Sequence, residues 1–189
     1  MDFLDSAILL DQRILLYINS LAGNQVLDSL MVLISSKWIW LPFYALLLVK
    51  IGRSYGLRTT AWICLSISAM IVVTDQGSVQ FFKEVFLRLR PCHNPELANL
   101  IVLQNGMCGG QYGFISSHAA NTFGLATYLW LMFKNRSLIW TLLFGWAGLV
   151  ATSRVYLGVH YPADVAVGAL FGILTGWSSY QIINKSLLS

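Results

Sequence analysis

The chain has 189 residues, of which 57% are hydrophobic and only 11% are charged, with a formal net charge of +4. Soluble domains carry about 25% charged residues, so this composition argues against an ordinary soluble protein and predicts a single membrane domain over residues 1–189. The basic residues are dispersed and several flank apolar segments, which favours an anionic ligand or a lipid headgroup over nucleic acid as the partner.

The first segment, residues 1–24, predicts an amphipathic helix at the membrane interface. Its apolar stretches alternate with Asp5, Asp11, Arg13 and Asn19. This alternation is typical of a helix that lies on a bilayer rather than across it.

Apolar segments long enough to cross a bilayer follow, separated by polar connections. Their approximate ranges are 27–49, 59–74, 116–133, 138–153 and 162–183. The first range contains Pro42 and fits either one kinked span or a short entry segment followed by a span. Together these segments predict an all-α, polytopic bundle of five to six transmembrane helices.

The helix of the second segment is predicted to continue beyond its apolar part. It should pass through Lys83 and end at Arg90, because a residue that precedes proline is disfavoured in helical geometry. Residues seven apart on a helix share a face, about 10 Å from each other. Lys83 and Arg90 are therefore expected to converge on one anion, and residues 91–113 form one long polar loop.

The distribution of Lys and Arg predicts the orientation of the bundle. Six basic residues lie in short connections or near the C-terminal end, where the positive-inside rule operates: Lys50, Arg53, Arg58, Lys134, Arg136 and Lys185. With these residues in the cytoplasm, the long loop faces outward. An oxidising exterior favours a disulfide between Cys92 and Cys108 over free thiols. A zinc site is less favoured, because no CxxC or HxxxH pair accompanies these cysteines.

Three polar stretches then fall on the outer face, each at the point where a helix meets it: Lys83–Pro91, Phe114–His118 and Ser153–Asp164. In the third stretch, a proline begins a helix whose first turn places Asp164 within reach of His160. A carboxylate bonded to one imidazole nitrogen leaves the other free to act as a base, nucleophile or ligand.

The other two outer groups are suited to binding an anion. Ser116 or Ser117 would cap the helix of the third span, whose free N–H groups and positive dipole end form an anion site. His118 lies in the first turn beside that site, and Arg154 adds a fork of donors that fits phosphate or carboxylate. Lipid does not solvate such charges, so they should pair with one another, with water or with a ligand.

The three stretches also carry a family resemblance. The first has the pattern K-x6-R-P from Lys83, the third has S-R-x5-H-x3-D from Ser153, and a serine–histidine motif lies between them. In this order they resemble the type 2 phosphatidic acid phosphatase family of membrane phosphatases, which shares its site with glucose-6-phosphatase and the vanadium haloperoxidases. The middle block departs from the usual P-S-G-H, because this chain has I-S-S-H at 115–118 and Ser117 adds bulk where glycine permits close approach.

The resemblance implies phosphoryl transfer without a metal or cofactor. His160 is the implied nucleophile, Asp164 orients it, and His118 protonates the leaving oxygen and then activates water. The implied phosphate ligands are Lys83, Arg90, Arg154, Ser116 and the N–H of Ser117. The cations among them would supply the charge stabilisation that Mg²⁺ gives in other phosphoryl transfers.

These roles imply an integral-membrane lipid phosphatase. Its substrate would be undecaprenyl pyrophosphate, a phosphate of lipid A, phosphatidylglycerol phosphate or phosphatidic acid. Small size and short connections favour a bacterial inner-membrane enzyme whose site faces the periplasm or exterior. A lipid phosphotransferase that uses the same intermediate, and a non-catalytic anion-binding or transport protein, stay open as alternatives. The sequence makes no prediction of the oligomeric state.

Some polar residues near the motifs fall outside them. Arg88, His93 and Glu96 are interpreted as residues of the loop or of the rim of the site. Asp75 lies deeper in the second span, where a structural hydrogen bond is the favoured interpretation.

Overall fold

The computed structural model describes residues 3–106, 108–133 and 138–185, and this part of the chain is built from helices. The helices are α1 (Phe3–Asn19), α2 (Gln25–Ser35), α3 (Leu41–Gly77), the single turn α4 (Glu84–Phe86), α5 (Ser117–Met132), α6 (Leu138–Tyr156) and α7 (Pro162–Ile183). Within the described ranges, extended pairing is limited to one isolated bridge between Leu89 and Tyr112. The prediction of an all-α chain is confirmed.

Among the described residues, two stretches are long and apolar enough to cross a membrane, Lys37–Phe86 and α7. With 16 residues, α5 is shorter than the roughly 20 residues that a span needs. The predicted total of five to six spans therefore stays a prediction. Lys134 and Arg136, which belong to the predicted cytoplasmic set, lie outside the described residues.

The predicted first span is divided into two helices. α2 ends at Ser35, a 3-10 turn follows at Lys37–Trp40, and α3 begins at Leu41. Of the two arrangements that the sequence left open, the structure has the entry segment followed by a long helix.

A single glycine replaces the predicted connection between the first and second spans. α3 runs through Lys50, Arg53 and Arg58 and is interrupted at Gly56, whose φ of 75° and ψ of 165° are not helical. A positive φ is accessible to glycine at no steric cost. The two halves of α3 therefore meet at a kink rather than across a loop.

The predicted helix end at Arg90 is wrong. A π-helical turn at Ser78–Lys83 leads into α4, which ends at Phe86, and Leu87 has a left-handed φ of 47°. Lys83 and Arg90 do not share a helix face, because Arg90 lies in extended backbone whose N–H donates to Gln111 O at 3.0 Å. The chain reversal after α4, rather than helical periodicity, determines where Arg90 points.

The contact between α5 and α7 is made through small residues. Every fourth residue along the contact is small: Gly168, Gly172 and Gly176 on α7, and Ala120 and Gly124 on α5 with Ser116 at its N-cap. A Cβ added at Gly172 would lie 2.2 Å from Ala120 O, and one at Gly176 would lie 2.3 Å from Gly124 O. Such small-xxx-small patterns let helix backbones approach closely in membranes. The first turns of α5 and α7 are thereby held together.

The main apolar core lies toward the other end of these helices. It is formed by residues of α3, α5, α6 and α7, including Ile63, Met70, Leu129, Ala147 and Ile183. The charged motif residues lie at the opposite end, at the start of α5 and α7 and the end of α6. The bundle therefore separates an apolar half from a polar half along its length.

We expect the change Gly172→Ala to destabilise the protein. Its new methyl group would press on the backbone of Ala120, and overpacking of this kind costs about 1–3 kcal/mol. The matched control is Gly145→Ala on α6, where an added Cβ meets no atom within 4 Å. Thermal unfolding in detergent should show a lower midpoint for Gly172→Ala alone. Equal midpoints for the two variants would contradict the close-packing interpretation.

Candidate active site

The predicted motifs meet at one cavity of about 500 Å³. Its lining includes Lys83 from the π-helical turn, Arg90 from the loop, Ser117 and His118 from the first turn of α5, Arg154 from the last turn of α6, and His160 from the α6–α7 loop. His118 and His160 therefore face the same space, and residues from all three polar stretches contribute to it.

His160 occupies the buried part of this cavity, with 2% of its surface exposed. Its Nδ1 lies 3.4 Å from Asp164 Oδ2, and its Nε2 lies 3.0 Å from Arg90 Nη1. Arginine has only donors, so Nε2 must be the accepting nitrogen and Nδ1 carries the proton toward the carboxylate. This arrangement describes a neutral imidazole whose Nε2 lone pair is directed at the cationic part of the cavity.

The surroundings of His160 favour this neutral form. Burial, followed by the positive charge of Arg90, holds the pKa of His160 well below its ordinary value. Desolvation and neighbouring cations both disfavour a protonated imidazole. The ring is therefore available as a nucleophile or base at neutral pH.

Asp164 is fully buried behind His160 and is not exposed to the cavity. Its Oδ2 accepts the Tyr161 N–H at 3.0 Å, and its Oδ1 accepts from Arg88 Nη1 at 2.7 Å. Arg88 also lies over the Tyr161 ring, 3.9 Å from the centroid. The carboxylate is thus held by one arginine and one backbone donor while it faces His160.

Arg88 lies in the loop after α4, as interpreted, but its side chain points inward to the site rather than to an exposed rim. Arg88 joins two carboxylates, Asp164 and Asp11, the latter through Nη2 at 2.6 Å. In extended backbone, residues two apart share a face, so Arg90 reaches His160 and Arg88 reaches Asp164 beside it. The expectation of a helix through residue 90 concealed this signal. His93 and Glu96 are exposed loop residues, as interpreted.

Arg90 is anchored by the long loop and by the α6–α7 loop. Its Nε donates to Gly110 O at 2.7 Å, and its Nη1 donates to Val159 O at 3.0 Å. Cys92 and Cys108 form a disulfide with a Cα–Cα distance of 6.0 Å. Cys92 lies two residues after Arg90, and Cys108 lies two residues before Gly110, whose carbonyl accepts from the guanidinium. The disulfide therefore closes the loop around Arg90.

The same cysteines bear on metal binding. Ligand atoms of Cys92, His93 and Cys108 lie within 4.8 Å of one another. A metal would need deprotonated thiolates, and these two sulfurs are bonded to each other. This group of residues does not fit a metal site while the bridge is closed.

Lys83 reaches the cavity from the π-helical turn. Its Nζ donates to Ser117 Oγ at 3.1 Å, and that hydroxyl also bonds Ser78 Oγ. π-Helical turns are frequent at functional sites, because the extra residue redirects the side chains that follow it. Asp75, interpreted as a structural hydrogen-bonding residue, instead has an exposed side chain that lines the cavity.

Arg154 reaches the cavity from the last turn of α6 and is half-buried. Its Nη1 donates to Ser35 Oγ at the end of α2, and Ser35 also lines the cavity. The sequence analysis did not find Ser35, because a single serine at the end of an apolar segment carries no motif. Its role becomes visible only when α2 packs against α6.

Ser116 lies behind the cavity rather than in it. Its side chain is fully buried and caps α5 by accepting from the Ala119 N–H, and its own N–H donates to Asp164 O at 3.0 Å. It is not among the described residues that line the cavity. The predicted contact of this side chain with phosphate is replaced by a link between the first turns of α5 and α7.

A second cavity, of about 470 Å³, adjoins the first. The two share Tyr44, Ile71, Asn121 and Thr122 in their linings. The rest of the second lining is mostly aliphatic, with residues of both halves of α3, of α5 and of α6. The polar cavity therefore continues into an apolar one between the helices.

Comparison with known proteins agrees with this geometry. The sequence model of the PAP2 superfamily matches residues 59–187. The chain belongs to the PAP2 superfamily. The resemblance drawn from the three motifs is thereby confirmed.

Several relatives span most of this PAP2 chain. A lipid A 4'-phosphatase of Bacteroides thetaiotaomicron is 37% identical over 93% of this chain and 78% of its own length. An undecaprenyl-diphosphatase of Sulfolobus acidocaldarius is 34% identical over 84% of this chain and 73% of its own. The crystal structure of Aquifex aeolicus LpxE is similar with a TM-score of 0.62 and 26% identity, covering 91% of this chain and 95% of that one.

We expect removal of the Cys92–Cys108 bridge to lower both stability and any phosphate-releasing activity. Closing a loop of this size is worth about 3 kcal/mol in chain-entropy terms, and the loop holds Arg90 through Gly110. The double variant Cys92→Ser/Cys108→Ser should unfold at a lower temperature and turn over more slowly. Reductant should affect the wild type and leave the double variant unchanged. A fully active, equally stable double variant would contradict this prediction.

Proposed function

We propose that this PAP2 protein is an integral-membrane lipid phosphatase that works through a phosphohistidine at His160. The observation that carries the proposal is the unprotonated Nε2 of a buried, neutral imidazole, which accepts from Arg90, is backed by Asp164 and lies in a cavity with cationic walls. A non-catalytic anion-binding protein would need the cations but would not need an oriented, unprotonated histidine among them.

In the first step, His160 Nε2 attacks phosphorus as the bond to the leaving oxygen breaks. The imidazole becomes positively charged, and the carboxylate of Asp164 beside Nδ1 stabilises that charge. His118, exposed in the same cavity, donates a proton to the leaving oxygen. General acid catalysis of this kind contributes about 10²–10⁴-fold.

In the second step, His160 is the leaving group and His118 acts as a base instead of an acid. His118, now neutral, takes a proton from water, and the resulting hydroxide attacks the phosphohistidine. The Nε2–P bond breaks and inorganic phosphate leaves, which returns His160 to its neutral form. The protonation states at the end are those at the beginning.

The cations Lys83, Arg90 and Arg154 supply the electrostatic stabilisation. They approach the cavity from the π-helical turn, the long loop and the end of α6, so three separate elements bring positive charge to one space. Preorganised donors aimed at developing charge are worth several kcal/mol in phosphoryl transfer. With these groups in place, the proposed reaction does not need Mg²⁺.

Ser117 has a further part in phosphate binding. It begins α5, where free N–H groups and the helix dipole favour an anion. Its hydroxyl is bonded to Lys83 Nζ, so this side chain also holds the lysine at the cavity. The serine that replaces the family glycine thereby becomes a link between two phosphate-binding elements.

The adjoining apolar cavity supports a lipid as the substrate. A phosphate in the polar cavity would place the attached hydrocarbon near the shared residues Tyr44 and Ile71. The apolar lining beyond them offers the tail an environment similar to the bilayer. A water-soluble phosphate ester would gain nothing from this second space.

Among lipids, we propose a phosphate monoester of lipid A as the first substrate. The support is the 37% identical lipid A 4'-phosphatase, together with polar groups that a sugar headgroup can use. Asp75, Ser35 and Asn121 line the cavity beyond the catalytic set and can accept or donate hydrogen bonds to sugar hydroxyls.

Undecaprenyl pyrophosphate is the second candidate substrate. The relative from Sulfolobus acidocaldarius supports it, and so does one further cation in the cavity lining, Lys37. A second phosphate group needs additional positive charge beside the first site. The proposed location is a bacterial inner membrane with the cavity on the outer side, where both lipids expose their phosphates.

We expect the purified protein to release inorganic phosphate from a panel of lipid phosphates, fastest from lipid A. The change His160→Ala should reduce turnover by about 10³-fold or more, because a nucleophile has no substitute in this cavity. Labelled substrate should leave acid-labile, base-stable phosphate on the wild type alone. Label on a second lipid instead of free phosphate would indicate a phosphotransferase. Wild-type turnover in His160→Ala would overturn the mechanism.

We also expect a bell-shaped pH profile of kcat, which reports the enzyme with substrate bound. His160 acts when neutral, and its pKa is lowered, so the acid limb should lie below the ordinary imidazole value of about 6.5. His118 acts when protonated, a form that the negative charge of the bound phosphate stabilises, so the basic limb of kcat reports His118. Replacing it in His118→Gln should flatten the basic limb and leave the acid limb in place. Loss of the acid limb in that variant would reverse the two assignments.

A further inference from the structure

The N-terminal helix α1 reaches the active site through one buried carboxylate. Asp11 is 9% exposed, and its Oδ2 lies 2.6 Å from Arg88 Nη2. Its Oδ1 accepts the N–H of Ala163 at 2.8 Å, in the first turn of α7. One side chain of α1 therefore contacts both the arginine that holds Asp164 and the helix turn that carries it.

These contacts form a continuous chain to the proposed nucleophile. Asp11 binds Arg88, Arg88 binds Asp164 Oδ1 at 2.7 Å, and Asp164 Oδ2 faces His160 Nδ1. Arg88 meets the two carboxylates with different nitrogens of its fork, so its position depends on both. An arginine held at two points is more precisely placed than one held at one.

The charges along this chain have a consequence for the reaction. Arg88 with Asp164 alone would be a neutral pair, and a neutral pair does little for a positive charge beside it. Asp11 brings the cluster to a net charge of −1 if both carboxylates are ionised, since one cation faces two anions. That charge matches the positive charge that His160 acquires when Nε2 bonds to phosphorus.

The docking of α1 does not depend on Asp11 alone. Asn19, 1% exposed, donates to Tyr156 O at 2.7 Å and to Val102 O at 3.0 Å, and accepts from the Val102 N–H. Leu15 is fully buried in a cluster with Val155 and Tyr161. A change confined to the Asp11 carboxylate therefore leaves α1 with its other anchors.

We propose that Asp11 is a positioning residue for catalysis, which acts through Arg88 to hold Asp164 and its negative charge against His160. This inference rests on the proposed phosphohistidine mechanism. The N-terminal helix α1 thereby contributes to catalysis, in addition to its predicted position at the membrane interface. Asp11 is not among the described residues that line the cavity, so it acts through Arg88 and Asp164 rather than on the reacting atoms directly.

The test compares Asp11→Asn with Arg13→Gln in the full-length protein. The asparagine keeps an oxygen for the Ala163 N–H and removes the charge that faces Arg88. Arg13 lies on the same helix with an exposed side chain, so its loss changes the charge of α1 without touching the site. Both variants are measured for thermal unfolding in detergent, for kcat and KM with a lipid phosphate, and for binding of orthovanadate.

We expect Asp11→Asn to lower kcat about tenfold, in the range that slight misplacement of a catalytic group produces, with KM within twofold of wild type. Vanadate adopts the five-coordinate geometry of phosphoryl transfer, so its affinity should fall together with kcat. Arg13→Gln should match the wild type in each measurement. In an Asp164→Asn background, Asp11→Asn should cause no further loss of kcat, because its effect passes through Asp164.

Three results would overturn the assignment: wild-type kcat and vanadate affinity in Asp11→Asn, a loss that only follows the fraction of unfolded protein, or an undiminished effect in the Asp164→Asn background. These outcomes differ from failure of the proposed function, which would appear as a wild type that releases no phosphate from any lipid in the panel. Vanadate affinity still tests the Asp11 assignment in that case, because it does not require turnover.

Discussion

The close approach of the α5 and α7 backbones is the constraint on which the site depends. Gly172 and Gly176 lie against carbonyl oxygens of α5 with no space for a Cβ. At the end of the same contact where α5 and α7 begin, the Ser116 N–H donates to Asp164 O. A larger residue along this seam would separate the first turns of the two helices. Since His118 is on one turn and Asp164 on the other, helix packing determines whether the site can form.

The cavity holds several positive charges close together, and their hydrogen-bond partners keep them in place. Lys83, Arg90 and Arg154 line one space, and like charges at such range repel one another unless an anion lies between them. Each is held by neutral oxygens: hydroxyls for Lys83 and Arg154, and backbone carbonyls for Arg90. These neutral partners fix the cations in place without cancelling charges that a phosphate would use.

The two carboxylates that bind Arg88 are arranged in the opposite way. Asp11 and Asp164 are kept behind the histidine and out of the described cavity lining, where their charge would repel phosphate. Arg88 allows both to be buried together, because its fork satisfies one oxygen of each. A buried charge is costly unless it is paired. Lys83, Arg90 and Arg154 therefore lie on the cavity side of His160, and Asp11 and Asp164 lie behind it, because both bind Arg88.

Local chemistry in the sequence was sufficient to indicate the all-α chain, the start of α7 at Pro162, the capping serine before α5 and the family motifs around both histidines. These features depend on neighbours in the chain. The π-helical turn before Lys83, the reversal at Leu87, the glycine seam and the joining of Asp11 to Asp164 depend on contacts between distant segments. Asp11 and Asp164 are 153 positions apart, and nothing near either one predicts a shared arginine. Only the packed bundle decides such partners, because a buried charge takes whichever counter-charge the fold brings within hydrogen-bond distance.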